Sequence, residues 1–482
     1  MKRLAWAFTC AGIVLIGCTA LAMAEARDDE EDFPRTQKRA TSVQKTPPAD
    51  EAVPRPLKKP VSINKQDRLD AAPPDPQPEP EVQKPVTASA SGEVVTIVVT
   101  GDTGFSRNHS PVHPEGVLKY GRRQPFAEAM SGIAGEINGD LNFTNIETVV
   151  TDHNRLKRDK KGQKGPFNFR THPKAVQHLV NRGFNLMSLA NNHSMDYRLA
   201  GLKETLRHMN PMLRKGLKAH AGVGLNREEA SRPQMVKVKG AEVAFSAIGI
   251  VTNNLKRHRA GKNTPGQIAY RFDDDYRLSV KRLAGTQADY RILSIHYGIE
   301  GRVRTDAKQI KEWRGLAAQK SKIDLIIGHH AHVPRAVERA GDSVIFYGLG
   351  NFLHHGTANM SKKGICKDFG VVGRVHLLKM PNGHLKARAV EVIPVTQMHI
   401  RPVKMEARKA ADRIHALNYL ARKLPSGAEG LQFTPQRDGT GLYCFAGASK
   451  DPGSIGKLCR GWKRPGGTPS FLAGKIANSC VK

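Results

Sequence analysis

The sequence predicts an α/β fold for most of the chain, and three observations support this class. Short apolar runs rich in Val, Ile and Leu recur from residue 94 onward, and such runs are typical of strands buried on both faces. Stretches with apolar residues at the helical three-and-four spacing lie between them. Hydrophobic residues make up 39% of the 482 residues, which is enough to build a core. The mean hydropathy of −0.46 excludes a membrane protein with many spans.

The first 24 residues have the pattern of a secretory signal peptide. A basic start is followed by an apolar run, and the letters AMA at 22–24 provide small residues for cleavage. Two alternatives stay open. The letters LIGC at 15–18 are similar to a bacterial lipobox, and the run is also long enough for an uncleaved membrane anchor. All three interpretations predict export to the periplasm or the cell exterior, and the last two add a membrane tether.

Residues 25–92 are predicted to be a disordered, Pro-rich linker. Eleven prolines lie between Pro47 and Pro85, and proline removes backbone donors and stiffens the chain. Few apolar residues are available for burial, so the segment is expected to stay extended and solvated. It carries 11 Lys or Arg and 13 Asp or Glu, so nearly all of the net charge of +32 lies in residues 93–482. This charge indicates an anionic partner, with a generally basic surface as the simpler alternative.

The folded part is predicted to begin at residue 93 with a strand at 94–100 that ends at Gly101 and Asp102. Helices are expected between the later strands at 173–182 and 199–209, the second with Asp196 as its N-cap. Ligands of α/β domains gather at the carboxyl ends of the strands. The polar ends of these strands therefore predict a functional site. Four further apolar runs end in Gly, His, Asp or Asn: 184–190, 290–295, 323–327 and 343–347.

The last part of the chain has a composition of its own. Residues 407–424 have the pattern of a basic amphipathic helix, with one apolar side. We expect this side to pack against the domain, with a membrane surface as the alternative partner. Residues 426–482 are rich in Gly, Pro and Cys and predict a small appendage stapled by disulfides. The apolar side of the helix consists of Ile414, Leu417, Leu420 and Ala421.

Four cysteines lie outside the predicted signal peptide. An even number in an oxidising compartment predicts two disulfides, with three pairings open, and free buried thiols are the alternative. These cysteines are Cys366, Cys444, Cys459 and Cys480.

The residue types at the strand ends indicate a metal site. Asp, Glu, Asn and His without Cys suit Mn, Fe or Zn. His330 and His332 lie two residues apart, so an irregular turn can direct both at one centre. A metal-bound water can lose its proton near neutral pH, and two cations about 3.5–4 Å apart can hold both oxygens of a phosphoryl transfer. For each histidine taken alone, a hydrogen bond within a loop is the simpler interpretation.

Six short motifs occur in an order that resembles the bacterial capsule-synthesis CapA family, named for poly-gamma-glutamate synthesis. That family is similar to the calcineurin-like metallophosphoesterases. The resemblance covers about residues 93–425, and the combination of motifs is more specific than any one of them. The motifs are GD at 101–102, NIE at 145–147, ANNH at 190–193, HYGIE at 296–300, GHHAH at 328–332 and YGLGNF at 347–352.

The resemblance implies a four-layer αββα sandwich, metallophosphoesterase-like, with one or two divalent cations at the strand ends. It implies a catalytic role for His193, which would stabilise or protonate a leaving group. The implied metal ligands are Asp102, Glu147, Asn192, His296, His330 and His332. The residues implied to orient these ligands or to contact substrate are Asn145, Asp196, Glu300, His329 and Asn351.

The sequence departs from the phosphoesterase pattern at two positions. Gly104 stands where the Asp-x-His motif has its histidine, and Asn145 and Glu147 stand where Gly-Asp is usual. One ligand of the first cation is therefore missing, which predicts a weakened metal set. Tyr297, Ala331 and Gly348, where Trp, Pro and Ser are usual in the capsule family, are modest changes and do not affect membership.

Two function classes remain open. In the first, the protein binds or processes an anionic polymer such as poly-gamma-glutamate during capsule or envelope biogenesis, with the capsule-synthesis machinery as its partner. In the second, it is an exported metal-dependent hydrolase that attacks a phosphoester, or an amide, through a metal-bound hydroxide. We favour the first class. Export and an aromatic content of 6% argue against nucleic acid as a partner.

Overall fold

The computed structural model describes residues 92–317 and 321–481. The predicted signal peptide lies outside these residues, and so does the predicted linker apart from Gly92. Within them the fold is mixed α/β, built on two large sheets with helices, which confirms the predicted class. None of the helices in the described part of the chain is long and apolar enough to cross a lipid bilayer.

The helices and strands are named in chain order. The helices are α1 Phe126–Met130, α2 Pro173–Asn181, α3 Arg198–Met212, α4 Arg227–Ala230, α5 Asp273–Ala284, α6 Ala307–Ala317, α7 Ala407–Arg422, α8 Gly453–Cys459 and α9 Ser470–Ser479. The strands are β1 Val94–Gly104, β2 Val117–Lys119, β3 Arg122–Gln124, β4 Leu141–Ile146, β5 Val149–Val150, β6 Arg170–Thr171, β7 Leu186–Ser188, β8 Ala219–Ala221, β9 Val223–Gly224, β10 Gln234–Val238, β11 Ala241–Gly249, β12 Gly266–Gln267, β13 Tyr290–His296, β14 Leu325–His329, β15 Val337–Ala340, β16 Ser343–Phe346, β17 Asn351–His354, β18 Gly370–Lys379, β19 Leu385–Thr396, β20 Val403–Lys404, β21 Glu429–Gly430, β22 Thr434–Pro435 and β23 Gly441–Cys444.

The first large sheet has the strand order β22-β23-β19-β18-β1-β4-β7-β8, with β17 paired to β1 and β20 to β19. Strand β1 is parallel to β4 and β17 and antiparallel to β18. The second sheet has the order β10-β11-β13-β14-β16-β15-β21, and its central strands β11, β13, β14 and β16 are parallel. The buried stretch of β1 is mostly β-branched and apolar, as its sequence predicted.

Four apolar clusters hold the sheets and helices of the described residues together, and the three largest contain the centres of the two sheets. One lies between the two sheets, where the rings of Phe143 on β4 and Phe245 on β11 are 5.8 Å apart. A second includes Leu179 of α2 and Leu202 of α3 together with residues of the first sheet. A third includes Trp313 of α6 with residues of the second sheet. These cores pack the helices and the two sheets against one another, which fixes the positions of the strand ends.

The register of the parallel strands brings polar residues of both sheets to their carboxyl ends. Asp102 at the end of β1 is opposite Asn145 on β4 and Asn351 on β17. His296 at the end of β13 is opposite His329 on β14. The polar strand ends predicted from the sequence therefore lie at one edge of each sheet.

Two predicted elements differ from the observed ones. The strand expected at 184–190 ends at Ser188, because Ser194 Oγ donates a hydrogen bond to the carbonyl of Leu189 and the chain turns there. The prediction that Asp196 caps α3 is wrong. The helix begins at Arg198 after Tyr197, without a side-chain cap, because the carboxyl group of Asp196 is turned into the interior of the protein.

Helix α7 packs against the domain, as expected. Its predicted apolar residues, including Ile414 and Leu417, are at most 4% exposed and belong to the cores of the two sheets. Beyond α7, β21 pairs with β15 and β23 with β19. The structure joins Cys366 to Cys480 and Cys444 to Cys459, with Cα–Cα distances of 5.5 and 5.8 Å. The domain boundary predicted after residue 425 stays a prediction.

Candidate metal centre

The polar strand ends of the two sheets meet in a single buried cluster. It includes Asp102 at the end of β1, Glu147 directly after β4, and His296 at the end of β13. All three are 0% exposed. Two further histidines come from the loop after β14, where His330 and His332 have φ values of 85° and 55°. Non-glycine residues seldom adopt this left-handed backbone conformation, which is costly and occurs often at functional sites.

Asp102 is the most heavily contacted group of the cluster. Its Oδ1 accepts a hydrogen bond of 2.8 Å from Asn145 Nδ2, and its Oδ2 lies 3.3 Å from His332 Nδ1. The backbone N–H of His330 donates to Oδ2 as well, at 3.2 Å. Burial alone would raise the pKa of Asp102, but the contacts with His329 and His332 outweigh it and hold the pKa well below its usual range.

Glu147 is a buried carboxylate without a hydrogen-bond partner on either oxygen. Its Oε1 lies 3.4 Å from His296 Nε2 and 3.9 Å from His332 Nε2. Burial, and next the charge of Asp102, raise the pKa of Glu147 well above its usual range. A buried carboxylate that lacks hydrogen bonds is costly. A cation between Glu147 and Asp102 would remove this cost.

The donor atoms form two groups that fit a divalent cation. In each group the donor atoms lie within 4.8 Å of one another, and Glu147 belongs to both. Buried carboxylate oxygens and imidazole nitrogens are the ligands that Mn, Fe and Zn accept, so the residues present fit such a cation. The groups are Asp102 with Glu147 and His332, and Glu147 with His296 and His330.

Asn192 lies beside the second group. Its Oδ1 is 2.7 Å from His296 Nε2, and His330 Nδ1 is 3.1 Å from the same nitrogen. The structure therefore brings all six predicted metal ligands together. Their role as ligands stays a prediction.

His193, the predicted catalytic residue, stands at the edge of the cluster. Its Nε2 lies 3.9 Å from Glu147 Oε1, and its Nδ1 lies 2.7 Å from Asp196 Oδ2. Asp196 also lies 2.5 Å from the Nζ of Lys161, whose side chain is 2% exposed. Burial, and next the charge of Lys161, lower the pKa of His193 well below its usual range. The carboxylate of Asp196 thus fixes the direction in which the imidazole points.

The residues predicted to orient the ligands occupy different depths. Asn145 bridges Asp102 and His296, with Nδ2 2.8 Å from the carboxylate and 3.1 Å from the imidazole. Asn351 Oδ1 lies 2.9 Å from His332 Nδ1. His329 is buried with its Nδ1 3.5 Å from Asp102 Oδ1, and neither ring nitrogen has a hydrogen-bond partner. Glu300 stands apart, because its side chain is 63% exposed and 4.0 Å from His330.

A cleft with a volume of about 510 Å³ opens onto this cluster. Its walls include His193, His330 and His332 from the cluster, and Phe167 and Arg271 nearer the solvent. The side chain of Phe167 is 55% exposed. The cleft therefore gives a ligand access from solution to the histidines at the edge of the cluster.

Three residues in or beside the cluster were not predicted from the sequence. Lys161 lies within a run of basic residues in the sequence, a context typical of solvated side chains. Asn191 Nδ2 donates to the carbonyl of Ile146 at 2.8 Å, and only its position within the ANNH motif pointed to it. His354 is 1% exposed and follows the YGLGNF motif by two residues, so an extension of that motif would have included it.

Comparison with known proteins identifies the family. Residues 96–355, more than half of the chain, match the family described as bacterial capsule synthesis protein PGA_cap. The chain is 25% identical over 342 residues to the PGA biosynthesis protein CapA of Bacillus subtilis (strain 168), which covers 70% of this chain and 81% of that protein. It is 26% identical over 270 residues to the capsule biosynthesis protein CapA of Bacillus anthracis, covering 54% and 60%.

Among solved structures, a hypothetical protein from Thermus thermophilus aligns with a TM-score of 0.34 and 13% identity, covering 62% of this chain and 99% of that one. The family match and the two relatives named CapA confirm the resemblance that the motifs carried. The chain therefore belongs to the bacterial capsule synthesis protein family PGA_cap.

Proposed function

We propose that the protein binds or processes an anionic polymer, poly-gamma-glutamate or a related envelope polymer, at a centre that holds divalent cations. Its family and the names of its relatives support the role in capsule biogenesis. The observation that carries the metal centre is Glu147, a fully buried carboxylate with no hydrogen bond, which faces two histidines and Asp102. The net charge of +32 favours association with a polyanion.

The fold proposed for this centre is a four-layer αββα sandwich. The core between the sheets and the two cores that join helices to the sheets support it. In this arrangement the two sheets place their strand ends side by side. One or two cations, Mn, Fe or Zn, would be held by Asp102, Glu147 and His332 on one side. Glu147, Asn192, His296 and His330 would hold the other. A cation held there acts as a Lewis acid toward a phosphoryl or carbonyl oxygen of the substrate.

Export of the protein is part of the proposal. The signal peptide at residues 1–24, the linker at 25–92 and the paired cysteines support a location in the periplasm or outside the cell. With a lipidated or uncleaved N-terminus, the linker would allow the folded part to stand off from the membrane and to meet polymer and the other components of the capsule machinery.

The alternative is a metal-dependent hydrolase of the envelope. The observation that favours it is the position of His193, which lines the cleft and directs Nε2 toward Glu147. Asp196 holds Nδ1 of the same ring, so Nε2 is the atom through which His193 would exchange a proton with a leaving group. The buried ion pair of Asp196 with Lys161 keeps this orientation.

The decisive experiment compares binding and turnover in the full chain. The purified protein is stripped with EDTA, reloaded with Mn²⁺, and tested for binding of poly-gamma-glutamate and for turnover of a generic aryl phosphoester. The variants are Glu147→Gln, His193→Ala and, as a surface control, Glu115→Gln, whose side chain is 75% exposed. Mn²⁺-dependent, salt-sensitive polymer binding that Glu147→Gln abolishes, without turnover, supports the first function.

Turnover that requires Mn²⁺ and is lost in His193→Ala supports the hydrolase instead. Polymer binding and turnover that are both independent of Mn²⁺ would contradict the metal centre. The control variant should match the wild type in every assay, because its side chain lies in solvent and away from the cleft.

A further inference from the structure

His354 is a buried imidazole whose free nitrogen is directed at the candidate metal centre. The residue ends β17 and is 1% exposed. Its Nε2 lies 3.6 Å from Glu147 Oε2 and has no hydrogen-bond partner. The ring centroid is 5.9 Å from that of His332. An unpartnered nitrogen at this depth is costly unless something binds it.

The backbone of β1 makes room for this imidazole. Gly104 is opposite His354 in the parallel register of β1 and β17. A Cβ atom built on Gly104 would lie 3.3 Å from His354 Nε2, and 3.6 Å from two carbons of the ring. Any larger side chain at position 104 would therefore occupy the space that the imidazole fills. Glycine at 104 and histidine at 354 are complementary.

The group formed by Asp102, Glu147 and His332 has three donor residues. Zinc sites in proteins commonly have four ligands in tetrahedral geometry. His354 contacts Glu147 Oε2, whereas His332 contacts Oε1. The two imidazoles therefore contact different oxygens of the shared carboxylate.

We propose that His354 is the fourth protein ligand of the cation held by Asp102, Glu147 and His332, and that it takes the place left free by Gly104. The inference rests on the proposed metal centre. The first cation lacks a histidine ligand from β1, because position 104 is glycine. His354 on the neighbouring strand β17 would supply that ligand instead.

Ligation determines the tautomer of the ring. The backbone N–H of Gly356 lies 3.2 Å from His354 Nδ1 and donates to it. To bind a cation through Nε2, the neutral imidazole carries its proton on Nδ1. Cation binding through Nε2 would therefore break this hydrogen bond and bring two N–H groups face to face, so the ring or the Gly356 peptide would have to turn. A histidine that only donated from Nε2 to an anionic ligand would keep the bond to Gly356.

The test is a titration of the EDTA-stripped full chain with Co²⁺, followed by its visible absorption, together with the metal content after dialysis against Zn²⁺. His354→Ala should weaken Co²⁺ binding at least about 10-fold, because even the loss of groups that orient a ligand costs about 10- to 100-fold. The absorption bands should also change, since they report the number and type of ligands. Thermal unfolding without metal verifies that each variant is folded.

A reciprocal variant separates ligation from a loss of packing. The double variant Gly104→His/His354→Ala returns an imidazole to the same space from β1, and it should recover most of the Co²⁺ affinity. Gly104→His alone should bind no better than wild type and should unfold at a lower temperature, because two rings compete for one space. Failure of the double variant to recover affinity above that of His354→Ala would overturn the proposal.

Two further variants distinguish this proposal from the metal centre itself. His355→Gln is the matched control, because Nε2 of His355 lies 3.0 Å from Gln124 Oε1 and away from the centre. Its Co²⁺ affinity should equal that of the wild type. If Asp102→Asn loses Co²⁺ while His354→Ala keeps wild-type affinity, the role of His354 is wrong and the centre stands. If neither variant changes Co²⁺ binding, the proposed centre fails as well.

Discussion

His193 Nδ1 lies 2.7 Å from Asp196 Oδ2, three residues further along the chain. The same carboxylate pairs with Lys161 and accepts a hydrogen bond of 2.5 Å from the backbone N–H of Phe169. Three segments distant in the sequence therefore meet at one carboxyl group. The direction in which His193 presents its Nε2 to the cleft depends on a lysine that stands outside both candidate ligand groups.

Asp196→Asn should lower the free energy of unfolding by about 3–5 kcal/mol, because removing one partner of a buried ion pair leaves the other charge uncompensated. The double variant Lys161→Met/Asp196→Asn should lose less than the sum of the two single variants, since neither charge then remains. Urea denaturation of the four proteins gives the coupling energy. Additive losses would contradict the coupling of Lys161 and Asp196.

Glu147→Gln tests whether the carboxylate of Glu147 binds the cation, separately from its effect on the stability of the metal-free protein. In EDTA the variant should unfold at nearly the same temperature as the wild type, because the raised pKa of Glu147 keeps its carboxyl group neutral when no cation is bound, and glutamine replaces one neutral buried group with another. Added Mn²⁺ should stabilise the wild type, by about 2.7 kcal/mol at 100 times the dissociation constant, and leave the variant unchanged. Differential scanning calorimetry measures both effects. Equal stabilisation of the two proteins by Mn²⁺ would remove Glu147 from the centre.

His220 predicts a loss of stability in mild acid that does not involve the cleft. Its Nε2 lies 2.9 Å from Asn210 Oδ1, its Nδ1 has no partner, and burial lowers its pKa to about 4. The unfolded chain protonates first, near pH 6.5. The contribution of the neutral ring is therefore complete above pH 6.5 and is lost as the pH falls toward 4, up to about 3 kcal/mol.

His220→Gln keeps a partner for Asn210 and should reduce this dependence on pH. Chemical denaturation at pH 7.5, 5.5 and 4.5 should show a smaller decrease for the variant than for the wild type. Parallel curves for the two proteins would mean that His220 does not titrate in this range.

Helix α7 provides a test of core packing. Leu417 is 1% exposed within the core between the two sheets, so Leu417→Ala should cost about 2–5 kcal/mol of stability. Arg408→Ala on the exposed side of the same helix should change stability by about 0.5 kcal/mol or less. Urea denaturation compares the two. A helix that used its apolar side on a membrane surface would show equal, small effects and would retain the protein on anionic vesicles.

Much of the site could be predicted from sequence because it lies at strand ends. Each β-branched run identified a strand, and the polar residue after it, such as Asp102 or His296, marked the end that faces the cleft. Because the strands are parallel, their carboxyl ends and these polar residues lie at the same edge of the sheet. The turn predicted to direct His330 and His332 at one centre has the irregular backbone that this requires.

The parts that could not be predicted depend on contacts between distant segments. Asp196 has the position of a helix cap in the sequence, and only the buried ammonium group of Lys161 explains why it turns inward. The proposed role of His354 depends on its position opposite Gly104. The pairing of β1 with β17 that creates this position cannot be predicted from local sequence patterns. The sequence does not show which residue of a charged run, or which single histidine, becomes buried in the fold.

The presence of Glu147 in both ligand groups has a consequence for how the centre fills. A first ion bound to the Glu147 carboxylate would neutralise the negative charge that attracts a second ion. The two positive ions would also repel each other. Loading should accordingly proceed in two separate steps, with the second far weaker than the first. At low concentrations of free ion, the form with a single ion would be the predominant species.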